Sequence, residues 1–115
     1  MKFLVLLYGD ESKMPARDSP EHARQLAAYG QFFEEVNRAG VLRAGDPVQG
    51  PSTATTVRIR DGATHTSPGP FSPGPEQLIG FYVLDCDDRS QAEAYAAKIP
   101  AAAEGAVEVR PIMVF

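Results

Sequence analysis

Phe3-Leu4-Val5-Leu6-Leu7-Tyr8 runs without a charge or a turn-forming residue. A strand with one wet face alternates apolar and polar side chains, whereas a strand covered on both faces reads as an unbroken apolar run. The run is too short to cross a bilayer. It is also a poor leader, because Gly9-Asp10-Glu11 stands where a small-residue cleavage site belongs. The stretch is therefore read as a buried first strand, with no membrane partner.

Outward from it, Gly9 to Asp18 is a polar connection, and Ser19-Pro20-Glu21 announces a helix. Serine caps, proline fits the first helical position, and an acid suits the positive end of the helix dipole. His22, Leu26, Tyr29, Phe33 and Val36 then recur at three- and four-residue steps as one apolar stripe. Gly40 ends that helix. Val41-Leu42 begins a short second strand, broken by Gly45-Asp46-Pro47. Thr55 to Arg60 alternates as a third strand, and Asp61-Gly62 turns it back through Ala63 to Thr66. Ser67 to Pro75 is a proline-braced loop, and Gly80 to Leu84 is another long apolar strand. Asp88 and Gln91 have capping-box spacing for a second helix, whose stripe is Ala92, Tyr95, Ala96 and Ile99 and whose stop is Pro100. Val107 to Val114 closes the chain as a strand.

This order predicts an α+β ferredoxin-like sandwich, two helices on one face of an antiparallel sheet. The first and fifth strands are apolar on both faces, so the uncovered face would be a large exposed patch in a monomer. A two-fold homodimer stacking sheet on sheet would bury it. The expected assembly is a dimeric α+β barrel built from one domain, residues 1–115.

Composition limits the function classes. With 115 residues, the chain can bury a single core holding roughly two-thirds of its unfolded surface. A net charge of -4 and scattered arginines argue against nucleic acid. Cys86 is the only cysteine, which excludes an intrachain disulfide and suits a cytoplasmic location. Two distant histidines and one cysteine carry no metal-ligand spacing, so neither metal nor cofactor is expected. No glycine-flanked serine stands between a strand and a helix, so a serine nucleophile is unsupported.

The segments Tyr29-Gly30 with Phe33, Ala39-Gly40-Val41-Leu42, Ala54-Thr55-Thr56-Val57-Arg58, Gly69-Pro70-Phe71, Glu76-Gln77-Leu78 with Gly80-Phe81-Tyr82, and Val107-Glu108-Val109-Arg110-Pro111 carry a resemblance. Together they resemble the YCII-related family, in the branch with the Asp-Gly-Pro-Phe (DGPF) motif. The resemblance implies a dimeric α+β barrel. It implies little about function: most of the branch is uncharacterised, some members lie near genes for alternative sigma factors, and relatives are proposed enzymes with a His-Asp pair. Here Pro68 stands where the motif has aspartate, and Pro73-Gly74-Pro75 replaces its polar continuation.

The titratable candidates are few. His22, on the helix stripe, can serve as a general base. Asp46 matches the region where the wider family places its aspartate, and a His22–Asp46 pair would orient the imidazole. Tyr29 is the third catalytic candidate, against a plain core role. Arg58 and Arg110 can hold a carboxylate or phosphate, although Glu108 is the nearer partner for Arg110. His65 and Phe71 complete the ligand-binding candidates. The reading is a small-molecule-binding homodimer with weak acid-base catalysis in a pocket near the first helix. The alternative is a non-catalytic interaction or regulatory protein, linked to an alternative sigma factor system.

Overall fold

β1 (Lys2–Asp10) lies at the heart of a four-stranded antiparallel sheet in the computed structural model, which describes residues 1–115. Its neighbours are β5 (Glu76–Asp85) and β6 (Ala106–Pro111), and β2 (Leu42–Pro47) pairs with the outer side of β5. The order β2-β5-β1-β6 is that of a ferredoxin-like sheet.

The helices cover one face. α1 (Pro20–Arg38) starts as its sequence requires: Pro20 takes the first position, and the Ser19 hydroxyl accepts from the His22 amide. It ends at Gly40, whose φ of 74° is the left-handed geometry glycine tolerates. α2 (Arg89–Ala96) has the anticipated cap, with Asp88 Oδ1 accepting from the Gln91 amide and Gln91 Oε1 accepting from Asp87 N. Pro100 does more than stop it. Proline also opens a third helix, α3 (Pro100–Glu104), which the sequence pattern did not separate from the second.

The pleat of β1 sorts the sheet into two sides. Phe3, Val5 and Leu7 face the helices, and Phe3, Val5, Val36, Leu84 and Ala92 have no exposed surface. Burying the larger of these, Phe3, Val5, Val36 and Leu84, stabilises by about 1.5–3 kcal/mol each. Leu4, Leu6 and Tyr8 face the other way, beside Val83, Phe81 and Leu78 of β5, and none of these six is buried. On that side Leu78 is exposed and the other five are half-buried.

Four sequence expectations shift. β2 continues through Gly45-Asp46-Pro47 rather than breaking there. It is an edge strand, so the missing proline N–H costs no ladder bond. β5 begins at Glu76, with a register irregularity opposite Leu7 and Tyr8. β6 ends at Pro111, although the Ile112 amide still donates to Lys2 O. On α1 the inward residues are Tyr29, Phe32 and Val36, while Leu26 and Phe33 are exposed. Phe32-Phe33 satisfies either helical stripe, and the tertiary fold selects Phe32.

β3 (Thr55–Arg60) and β4 (Ala63–Pro68) form a separate two-stranded hairpin, turned at Asp61-Gly62 with positive φ at both residues, as the primed turn requires. This arm leaves Val57 and Ile59 exposed. It helps to raise the radius of gyration to 16.0 Å, where a compact chain of this length has about 13 Å. No helix is long and apolar enough to cross a membrane.

Candidate functional site

Gly45 on β2 and Gly80 on β5 allow a close approach of neighbouring groups at the sheet beneath α1. Gly80 pairs with Pro47, and Gly45 pairs with Tyr82. A Cβ on Gly45 would stand 2.5 Å from Tyr82 Cδ1, so the tyrosine ring lies against the bare glycine backbone. A Cβ on Gly80 would stand 3.1 Å from Asp46 O. Neither position raises a side chain toward α1. Both glycines line a cavity of about 540 Å³ between α1 and this part of the sheet.

Its walls come from four segments. α1 contributes Gln25, Leu26, Tyr29 and Phe33, while β1 and its following turn contribute Leu7, Gly9, Glu11 and Met14. The run Gly45 to Pro51 supplies one side, and Gln77 to Tyr82 supplies the floor. Leu26, Phe33, Val48 and Leu78 are exposed at the rim, so the cavity opens to solvent. Tyr82 is held on its other side by Phe32, edge to face at 5.0 Å between ring centroids.

Tyr29 is the titratable group most altered by this setting. Burial, with lesser contributions from Tyr82 and Glu104, pushes its hydroxyl up to about 12, against a partial offset from the Ala101 backbone. Burial also raises Tyr82. Both hydroxyls are therefore protonated donors at neutral pH. Behind Tyr29, Gln25 Nε2 donates to Glu104 Oε2 at 3.0 Å, which ties α1 to α3.

Of the residues singled out from sequence, Tyr29 and Asp46 line the cavity, while His22 and Phe71 do not. The pleat sets Asp46 beside Phe81 and Leu6, on the side away from the helices, so it meets the cavity at its edge. His22 lies in the first turn of α1 and forms no ion pair with Asp46. Phe71 is exposed, with the Arg58 guanidinium 5.0 Å over its ring. His65 faces Arg58 across the hairpin register. Arg110 on β6 binds Glu108, the partner expected from their spacing, and that contact raises the arginine further. The arginines and His65 are not cavity residues.

Sequence reasoning overlooked Gly45, Gly80 and Tyr82. An isolated glycine inside a strand signals a close backbone approach or a site where another group comes near. Gly80 carried that signal.

Comparison with known proteins places these features in a wider setting. The profile described as the YCII-related domain matches residues 1–115. The chain is 32% identical over 120 residues to the uncharacterized protein R00369 of Rhizobium meliloti (strain 1021), covering 100% of this chain and 94% of that protein. Among solved structures, it resembles 5-chloro-2-hydroxyhydroquinone dehydrochlorinase (TftG) from Burkholderia phenoliruptrix AC1100, in complex with 2,5-dihydroxybenzoquinone. The TM-score is 0.55 at 13% identity, over 98% of this chain and 94% of the other. At that identity the likeness concerns the fold.

Proposed function

The chain belongs to the YCII-related family, and from that footing we propose that it is a homodimeric small-molecule-binding protein whose ligand occupies the cavity beneath α1. The observation that carries the proposal is the cavity between α1 and the sheet, about 540 Å³ in volume and walled largely by aromatic and aliphatic side chains. Small-molecule sites are concave, mostly apolar and of about this size. A dehydrochlorinase of the same fold holds a six-membered quinone, which suits a cavity of this volume.

Acid-base chemistry in such a site falls to Tyr29, whose hydroxyl is a donor rather than a base near neutrality. Asp46 at the edge and His22 in the first helical turn are weaker candidates. The dimer is inferred from the sheet side away from the helices, where Leu4, Leu6, Phe81 and Val83 form a half-buried apolar patch. Two such faces stacked about a two-fold axis would bury both. The cytoplasmic assignment and the DGPF branch rest on the sequence reading. An interaction role draws on a different feature, the hairpin arm with exposed Val57, Ile59 and Phe71.

Thermal-shift screening against a metabolite library tests the binding proposal. A ligand at 100 times its dissociation constant adds about 2.7 kcal/mol to stability, an increase of about ten degrees in melting point for a domain of this size. Ligands whose shift vanishes on substituting Gly80 with a bulky residue support the cavity; shifts indifferent to that change count against it. Light scattering should give twice the chain's mass, and a monomer at micromolar concentration would contradict the dimer.

A further inference from the structure

The cavity wall has an unusual balance of charge. No lysine, arginine or histidine lines it, and its only charged members are Glu11 and Asp46. Neither carboxylate takes part in any of the ion pairs of the structure. Neither carboxylate is neutralised by an ion pair within the wall.

The hydrogen-bonding groups lean the same way. Gln25 spends an amide N–H on Glu104. Gln77 donates from its nitrogen to both Ser72 O and Gly74 O. With those donors engaged, the amide oxygens remain as acceptors. Side-chain donors left for a ligand are the second Gln25 N–H, the Tyr29 and Tyr82 hydroxyls and the Gln49 amide. Every charged side chain of the wall is an acceptor.

Resting on the reading that this cavity binds a small molecule, we propose that its ligand class is ring-bearing amines, with uncharged ring compounds accepted more weakly and carboxylates or phosphates refused. An organic cation would be drawn to Glu11, with Asp46 at the cavity edge, and would lie beside the aromatic side chains of Tyr29, Phe33 and Tyr82, which attract positive charge. An anion would shed its water and meet no cation in exchange. The arginines able to grip an anion, Arg58 and Arg110, lie elsewhere on the hairpin arm and on β6.

The test is calorimetric titration of the whole protein with benzylamine, benzyl alcohol and benzoate, which share a ring and differ in charge. Benzylamine should bind tightest, benzyl alcohol more weakly, and benzoate not at all. Glu11 and Asp46 are exposed, so E11Q and D46N, combined, should fold normally and weaken benzylamine by about tenfold, the loss of one charge-assisted contact. Benzyl alcohol should bind the double variant as before. V48K, adding a cation at the rim, should admit benzoate. Benzoate binding the unaltered protein as well as benzylamine would overturn the charge selection while leaving the cavity as a site. An unchanged amine-to-alcohol ratio in the double variant would do the same. Failure of all three compounds to bind would remove the site itself, and the selection with it.

Discussion

The two ends of the α1–sheet interface differ in one respect, the size of what the strands place beneath the helix. Toward its C-terminus α1 puts Phe32 and Val36 into the same cluster as Phe3, Val5 and Leu84, and the layer is solid. Toward its N-terminus Leu26 and Tyr29, with Phe33 on the adjacent stripe, line the cavity together with Gly45 and Gly80. Helix and sheet are continuous through both ends. The two glycines admit the Tyr82 ring and the β2 backbone at close range, and that close approach shapes the cavity wall. The solid end supplies the rigidity that lets the other stay open.

The largest expected effect lies at the solid end. Phe3→Ala should destabilise by about 3–5 kcal/mol, because its buried ring leaves a void that the sheet cannot close. Urea unfolding would measure it. Leu26→Ala at the hollow end should cost under about 0.5 kcal/mol, since that side chain is 58% exposed. An equal loss from both would erase the contrast between the two ends.

Crowding the two glycines is the next test. Gly45→Ala must displace the Tyr82 ring that lies 2.5 Å from the added carbon, at a cost of about 1–3 kcal/mol. Gly80→Leu should cost similarly and should also abolish ligand-induced thermal shifts. Stability unaffected by both changes would mean that the floor is looser than its geometry indicates.

Alkaline titration separates the ends without mutation. Tyr29 in the fold titrates at about 12, above the value of 10.0 for a free side chain. Its contribution is complete below pH 10 and is lost as pH rises from about 10 to 12, because the unfolded chain gives up the proton first. Absorbance at 295 nm should show tyrosines ionising late, and Tyr29→Phe should remove part of that lag. Simultaneous ionisation of all tyrosines near pH 10 would contradict the burial of this site.

The smallest effect is at the far end of β1. The Met1 amine donates to Asp85 Oδ1 at 2.9 Å and to Cys86 O at 3.0 Å, and Arg43 also reaches Asp85. The hydrogen bond from that amine holds the Asp85 carboxyl below its usual range. Its contribution is present above the ordinary carboxylate value of 3.8 and fades as pH falls below it. Asp85→Asn should flatten the acid limb of the stability profile slightly; a limb of unchanged slope would show that the exposed pair contributes nothing.

Much of the architecture was legible because it rests on local rules. Ser19-Pro20, Asp88 with Gln91, and Asp61-Gly62 name their own caps and turn, and the apolar runs at Phe3–Tyr8 and Gly80–Leu84 name the central strands. The choice of Phe32 over Phe33 was not legible, because both fit a helical stripe and only packing against Tyr82 decides. Pro100 reads as a stop whether or not a new turn begins at it. The site was half legible. Tyr29 and Asp46 were singled out for their chemistry, whereas the cavity depends on which glycines become neighbours across β2 and β5, a matter of register. Phe71 drew attention through its prolines, yet those prolines stiffen an exposed segment beyond the arm rather than a wall of the cavity.

Backbone amide NMR during titration with benzyl alcohol, the uncharged ring compound, tests the central claim most directly. The account expects saturable shifts at Gly45, Gly80 and Tyr82, with Val36 and Leu84 at the solid end unmoved. Saturable binding whose shifts fall on Val57, Ile59 and Phe71, or on Leu4 and Leu6 across the sheet, would contradict it.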